Sequence, residues 1–209
     1  MSSAQHKGTS QSPIDLTQVA GSSSLNVTFH YTPTPLQLIN TGHTVQVNPQ
    51  VENYMTIDNR RYELKQFHFH APSEHLVNGE QCDLEAHLVH EGPDGELAVV
   101  GLFYRLGAEN DLISVLWERI PSEPGSEQIY PEAVIDPRIM ITPAGQFYTY
   151  DGSLTTPPYT EGVKWVLLQS PLTVSSNQLE VFIERFGENA RPVQPLHGRV
   201  VLEGSLSAP

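Results

Sequence analysis

Cysteine is almost missing from this chain: Cys82 is the single one in 209 residues. No intrachain disulfide can form, so the fold must be held by packing and any bound metal, and a reducing compartment is permitted. Basic residues are also scarce. Eleven Lys and Arg stand against 24 Asp and Glu, a formal charge of −13 that opposes a nucleic-acid or anionic-membrane partner and leaves a small neutral substrate unaffected. No apolar run reaches the length of a membrane span, and the polar start MSSAQHKGTSQ has no hydrophobic signal-peptide core. The chain as given therefore fits a cytoplasmic protein, with a periplasmic or secreted one left open where a signal has been removed. There is no internal repeat, linker or low-complexity tract. One domain over 11–209, after a flexible tail at 1–10, is the expected organisation. An HExxH pair, which would mark a different kind of zinc hydrolase, is absent too.

What the chain does have is a histidine-rich stretch, QFHFHAPSEHLVNGEQCDLEAHLVH, at 66–90. With a strand period of two, Gln66, His68 and His70 share one face and Phe67 and Phe69 the other. The same period puts Asp83, Glu85, His87 and Val89 on one face of a second strand. Asn78-Gly79 between them is a turn signal, so an antiparallel hairpin with a long loop is expected. Three imidazoles on one face suit a borderline-soft divalent ion and leave a fourth position for water, which is a catalytic rather than a closed structural pattern. Gln66 and Glu85 each stand two residues before a proposed ligand and can accept its second ring N–H. The competing explanation is an ordinary half-exposed strand face, which two histidines alone would support and a third with a same-face acid makes less attractive.

Elsewhere, strand-like patches fall at 25–30, 36–39, 43–47, 54–57 and 62–70, and LAVVGLFYRL at 97–106 is an apolar run of strand length. Residues 111–120 place Leu112, Leu116 and Trp117 at helical spacing behind Asn110, a suitable N-cap. PSEPGSEQIYP at 121–131 reads as a loop. A second helix is signalled over 176–186 by Ser175 and Gln178 as a capping box and Gly187 as C-cap. Periodicity alone thus describes a β-rich chain with a few helices.

Six motifs in order, QSPIDL (11–16), TGHTVQV (41–47), QFHFHAPSEH (66–75), LEAHLVH (84–90), GSLTTPP (152–158) and RPVQPLHGR (191–199), resemble the alpha-class carbonic anhydrases. The resemblance implies a mainly β fold (α+β by some schemes), a single domain around a large, twisted, mostly antiparallel sheet with peripheral helices. It implies one zinc per chain on His68, His70 and His87, and reversible hydration of carbon dioxide to bicarbonate. Val89, Val99, Leu154 and Trp165, with Val163 and Thr156 nearby, would form the wall where carbon dioxide rests. Thr155 would accept a hydrogen bond from the attacking hydroxide while donating to Glu74. His43, on residues alone a surface histidine, would relay protons to bulk solvent, as an imidazole can near neutral pH. Asn189 matches the position whose carbonyl braces one ligand ring. Sulfonamides and small anions would inhibit, and the chain would be a monomer or homodimer. The alternative within the resemblance is a binding protein that has lost turnover; such relatives typically lack a ligand histidine. One departure concerns Tyr159, which stands where many relatives carry a cysteine bridged to the N terminus. Without that bridge the Thr155 loop is expected to be held only by packing and by Pro157 and Pro158.

Overall fold

The computed structural model describes residues 8–17 and 19–206. Of the tail expected at 1–10, residues 1–7 lie outside that range, while the Ser10 N–H donates to Glu161 Oε1 at 2.8 Å.

Alternating apolar and polar residues build nearly half of the described residues into strands. In order these are β1 (Val19–Ser22), β2 (Val27–His30), β3 (Thr34–Asn40), β4 (Val45–Pro49), β5 (Tyr54–Ile57), β6 (Arg60–His70), β7 (Leu76–Val77) and β8 (Glu80–Gln81). They continue as β9 (Leu84–Glu91), β10 (Leu97–Leu106), β11 (Glu127–Ile135), β12 (Gln146–Ser153), β13 (Glu161–Val174) and β14 (Val201–Ser205). Helix α1 (Asp111–Trp117) precedes β11 and α2 (Ser176–Phe186) follows β13. Among the described residues, twelve strands join one sheet in the order β1-β14-β12-β13-β10-β9-β6-β4-β3-β11, with β5 bonded to β6 and β2 to β5. The pairs β1·β14 and β10·β13 are parallel and the others antiparallel, as a mostly antiparallel sheet requires.

The predicted hairpin is there: β6 and β9 pair antiparallel, with His68 opposite His87 and His70 opposite Glu85. Its connection contains the miniature pair β7·β8, turned by Asn78 and Gly79 at φ +53° and +79°. Two consecutive positive φ values are what a tight hairpin turn of this hand needs, and Asn-Gly supplies them at low steric cost. Sheet register then extends the two ligand strands sideways. Gln66, Val89, Val99, Trp165 and Tyr150 lie abreast across β6, β9, β10, β13 and β12; the next rung is His68, His87, Gly101, Leu167 and Tyr148.

The two faces of this central sheet do different jobs. Phe67, Phe69, Leu88, Val100 and Val166 enter the larger core, together with Leu112, Leu116 and Trp117 of α1 and Phe182 of α2. Phe67 and Phe69 are fully buried, a stabilisation of roughly 1.5–3 kcal/mol per side chain. Val99, Val163, Trp165 and Leu167 face the other way, into a smaller cluster with Ile14, Leu16 and Tyr150.

The helices begin where the caps predict. Asn110 accepts the Ile113 N–H at 3.2 Å, and Ser175 and Gln178 complete their capping box. Helix α1 stops at Trp117, three residues short of the stretch read as helical. The larger correction is at 121–131, read as loop: from Glu127 onward it is strand β11, paired antiparallel with β3. Its residues are mostly solvated and lack alternation, so the pairing comes from β3 rather than from local pattern. It is also the edge of the sheet, where Pro131 sits within an irregularity and costs no ladder bond.

Cys82 is buried and free. The thermal midpoint, at fixed protein and zinc concentration, is accordingly expected not to move when a non-chelating reductant is added. A large drop would reveal an intermolecular bridge through this thiol.

Candidate metal centre

His68 and His70 project from the end of β6 and His87 from β9, and one ring nitrogen of each lies within 4.8 Å of the others. Hydrogen bonds decide which nitrogens are left over. His68 Nδ1–H donates to Gln66 Oε1 at 2.8 Å, leaving Nε2. His87 Nε2–H donates to Glu85 Oε1 at 2.8 Å, leaving Nδ1. His70 is 3% exposed and neither of its nitrogens has a hydrogen-bond partner. The Asn189 carbonyl interacts with that ring and favours its charged form without completing a bond. Leaving such a group unsatisfied costs about 1–3 kcal/mol, unless a cation takes the lone pair.

The electrostatics suit the same role. Burial, then repulsion from the neighbouring rings, holds the His68 pKa well below its ordinary value and takes His70 down to about 3. Both rings are therefore neutral, the form that binds metal. At His87 burial pushes the same way, but the Glu85 carboxylate outweighs it and the pKa rises.

Glu85 is the centre of a buried brace. Its Oε2 accepts the N–H groups of Glu74 (2.8 Å) and His75 (2.9 Å), and its Oε1 takes His75 Nδ1–H and His87 Nε2–H, both at 2.8 Å. Burial would raise this carboxyl pKa, yet His75 and His87 hold it well below the ordinary value. His75 Nε2 continues to the Tyr150 hydroxyl at 2.7 Å, and that hydroxyl to Ser12 Oγ at 2.7 Å. His75, Glu85 and His87 also bring ligand-type atoms within 4.8 Å, but both nitrogens of His75 are committed, so this trio acts as support rather than as a second site. Space for the brace depends on Gly101, abreast of His87: a Cβ there would meet Leu167 Cδ2 at 2.8 Å and Glu85 Oε1 at 3.2 Å.

Beside the imidazoles stands Glu74, 2% exposed, whose Oε1 accepts the Arg191 N–H at 2.8 Å and lies 3.4 Å from His70 Nδ1. Its Oε2 is 3.8 Å from His87 Nδ1 and has no hydrogen-bond partner. Burial raises the Glu74 pKa; His87, the Thr155 hydroxyl and the Arg191 N–H oppose it. Thr155 is buried and interacts with this carboxylate, short of full hydrogen-bond geometry.

A cavity of about 120 Å³ opens against His68 and His87, walled by Val89, Leu97, Val99, Leu154 and Trp165, with buried Thr155 and exposed Thr156 also in its lining. Val163, expected in that wall, is fully buried abreast of Leu97 and outside the lining. Leu97 was not expected, although its period-two relation to Val99 could have found it. His43 is exposed in the bend two residues before β4. Asn189 ties that entrance to the ligand strand: Oδ1 accepts the Ala71 N–H at 2.9 Å, while Nδ2 donates to His43 O at 2.8 Å and Phe69 O at 3.1 Å.

Comparison with known proteins settles the family. A family model described as eukaryotic-type carbonic anhydrase matches residues 1–205. The chain belongs to the alpha-class carbonic anhydrases. The carbonic anhydrase of Nostoc sp. is 43% identical over 203 residues, which is 94% of this chain and 76% of that protein. The Photobacterium profundum alpha-carbonic anhydrase structure is 40% identical with a TM-score of 0.88, covering 94% of this chain and 90% of its own. The Thermovibrio ammonificans alpha-carbonic anhydrase, solved with the inhibitor sulfanilamide, is 42% identical with a TM-score of 0.88, covering 93% and 87%.

As an alpha-class carbonic anhydrase the chain is a zinc-dependent carbonate dehydratase, converting carbon dioxide and water reversibly to bicarbonate and a proton. The carbonic anhydrase fold also corrects one expectation. The Thr155 loop is not held by packing and prolines alone: Gln11 Nε2 donates to the Tyr159 carbonyl at 3.2 Å and the Arg191 guanidinium stacks on the Tyr159 ring. Of the residues sequence reasoning missed, His75 lies within the quoted QFHFHAPSEH motif and had a signal. Ser12 and Tyr150 are brought to it only by the fold.

Proposed function

We propose that His68 Nε2, His70 and His87 Nδ1 hold the zinc, that Glu74 and Thr155 orient the nucleophile, and that His43 exports the proton. One observation carries this reading: three imidazoles, His70 and His87 buried and His68 half-buried, each with an idle ring nitrogen, converge beside a small cavity with an apolar wall. When bound, zinc supplies Lewis acidity and, as is established for carbonic anhydrases in general, brings the pKa of a water down to about 7.

The protein's own residues supply direction. Thr155 gives its hydroxyl proton to Glu74, so toward the cavity its oxygen can only accept. A nucleophile beside it has to spend its own proton on Thr155 and turn a lone pair toward the substrate carbon. Small anions with no proton to offer meet an acceptor there, so as inhibitors they are expected to bind less tightly than sulfonamides, which carry an N–H. Val89, Val99, Leu154 and Trp165 exclude water from the substrate side, which suits a molecule without net charge. Gln66 and Glu85 fix the tautomers of His68 and His87. Thr156 stands at the rim, where departing bicarbonate can find a hydroxyl. With a charge of −13 and a single buried cysteine, the chain suits a reducing cytoplasm, as a monomer or homodimer indifferent to nucleic acid and anionic membranes. Metal analysis with stopped-flow carbon dioxide hydration on the purified protein tests the reading; a zinc-loaded chain with no hydration activity would refute it.

The relay is tested separately, because attack on substrate and export of the proton are distinct steps that can limit separately. His43→Ala is expected to lower kcat in dilute buffer by about tenfold and to leave kcat/KM nearly unchanged, with imidazole-type buffers restoring most of the loss. Unchanged kcat in dilute buffer would remove His43 from the mechanism.

A further inference from the structure

The connector that carries Thr155 turns back at Tyr159, whose φ of +61° lies in the left-handed region. Tyr159 N–H donates to the Thr156 carbonyl at 2.8 Å, and Leu154 N–H donates to Thr160 O at 2.9 Å. These bonds shape the bend without attaching it to the rest of the site.

Attachment comes from two distant segments. Gln11 Nε2 donates to the Tyr159 carbonyl at 3.2 Å and to Glu161 Oε1 at 2.9 Å. The Arg191 guanidinium lies 3.8 Å above the centre of the Tyr159 ring, and its Nη1 donates to Gln11 Oε1 at 3.0 Å and to Ser12 O at 2.6 Å. The main-chain N–H of the same Arg191 donates to Glu74 Oε1 at 2.8 Å. One residue therefore holds both partners: its backbone grips Glu74, and its side chain grips the loop that delivers Thr155.

We propose that Tyr159, with Arg191 and Gln11, forms a non-covalent clasp that sets where Thr155 stands against Glu74, which makes Tyr159 a positioning residue for the hydration reaction. The inference rests on Glu74 and Thr155 acting as the orienting pair. A cation over an aromatic face is attractive without a directional bond, and it is strengthened by partial burial such as Arg191 has. Removing the face therefore loosens the loop while His68 and His87, braced through Gln66 and Glu85, keep their places.

Zinc analysis, stopped-flow hydration and sulfonamide titration on the zinc-loaded chain separate the outcomes. Tyr159→Leu keeps bulk but removes the aromatic face. Its kcat/KM is expected to fall about fivefold or more, within the ~10²-fold that a ~1 Å misplacement can cost. Sulfonamide affinity should fall with it, zinc should stay at one per chain, and kcat in dilute buffer, limited by proton export, should change less. Tyr159→Phe keeps the face and is expected to stay within about twofold of wild type. Arg191→Met should reproduce the Leu effect, and the double variant should be no worse than the worse single one, because each residue acts through the other. Wild-type kcat/KM and sulfonamide affinity in both Tyr159→Leu and Arg191→Met overturn the clasp. Zinc lost in step with rate overturns it too, since that marks general loosening. If Thr155→Val is silent as well, the orienting pair falls first and takes the clasp with it.

Discussion

His87→Ala is expected to strip most of the zinc and reduce hydration to background. The imidazole it removes offers Nδ1 to the cluster and anchors through Nε2 to Glu85, so both the ligand and its support go together. His68 and His70 remain, but two imidazoles do not hold zinc against a competing chelator. Glu85 stays buried with one charged contact fewer, a cost of about 1–3 kcal/mol in stability that its three surviving bonds to Glu74 and His75 keep from becoming unfolding. Metal content after dialysis against chelator, with circular dichroism to establish the fold, is the measurement. Full zinc occupancy at the wild-type rate would sink the assignment of the ligand set.

Thr155→Val separates orientation from metal binding. The substitution is nearly isosteric and touches none of the three imidazoles, so zinc is expected to remain at one per chain. In the proposed mechanism this hydroxyl links Glu74 to the nucleophile; with it gone, kcat/KM should fall by about 10²-fold, the usual scale for removing one preorganised polar contact at a reacting centre. Binding of deprotonated sulfonamides should weaken in parallel, because the N–H they would present to the Thr155 oxygen loses its acceptor. Thr155→Ser, which restores the hydroxyl, should recover most of both. If Thr155→Val hydrates carbon dioxide and binds sulfonamide like wild type, orientation is supplied by some other group.

Much of this site was legible because it is local. A period of two placed Gln66, His68 and His70 on one face, and Asn-Gly closed the hairpin that brings His87 opposite His68. The α2 caps were equally local, each signal lying within the turn it terminates. What could not be read depends on pairing between distant segments. β11 is a strand because β3 offers it an edge, despite a polar, proline-containing sequence. The parallel union of β10 with β13 puts Trp165 abreast of Val99, and nothing near either residue announces it. The Tyr150 to His75 bond and the Tyr159 to Arg191 contact join side chains that look like ordinary loop and strand residues until the sheet is assembled. For such residues family resemblance could assign a role only where it attaches one to a motif position: Glu74 and Thr155 were named, whereas Ser12, although inside QSPIDL, and Tyr150, outside every motif, were not.

The contrast between the β6·β9 hairpin and the β10·β13 union also orders events as the chain folds. All three imidazoles lie on two adjacent strands joined through residues 71–83, so bringing them together closes a smaller loop, at lower entropic cost, than the pairing of β10 with β13. The apolar wall of the cavity and the loop of Thr155 are another matter: Trp165 and Thr155 are reached only after α1, β11 and β12 have been threaded, and a parallel pairing cannot be made through a tight turn. Contacts of that span form slowly. The imidazoles can therefore be brought together by one local pairing, whereas the wall of the cavity waits on the parallel pairing of β10 with β13, with β14 still to follow in the chain.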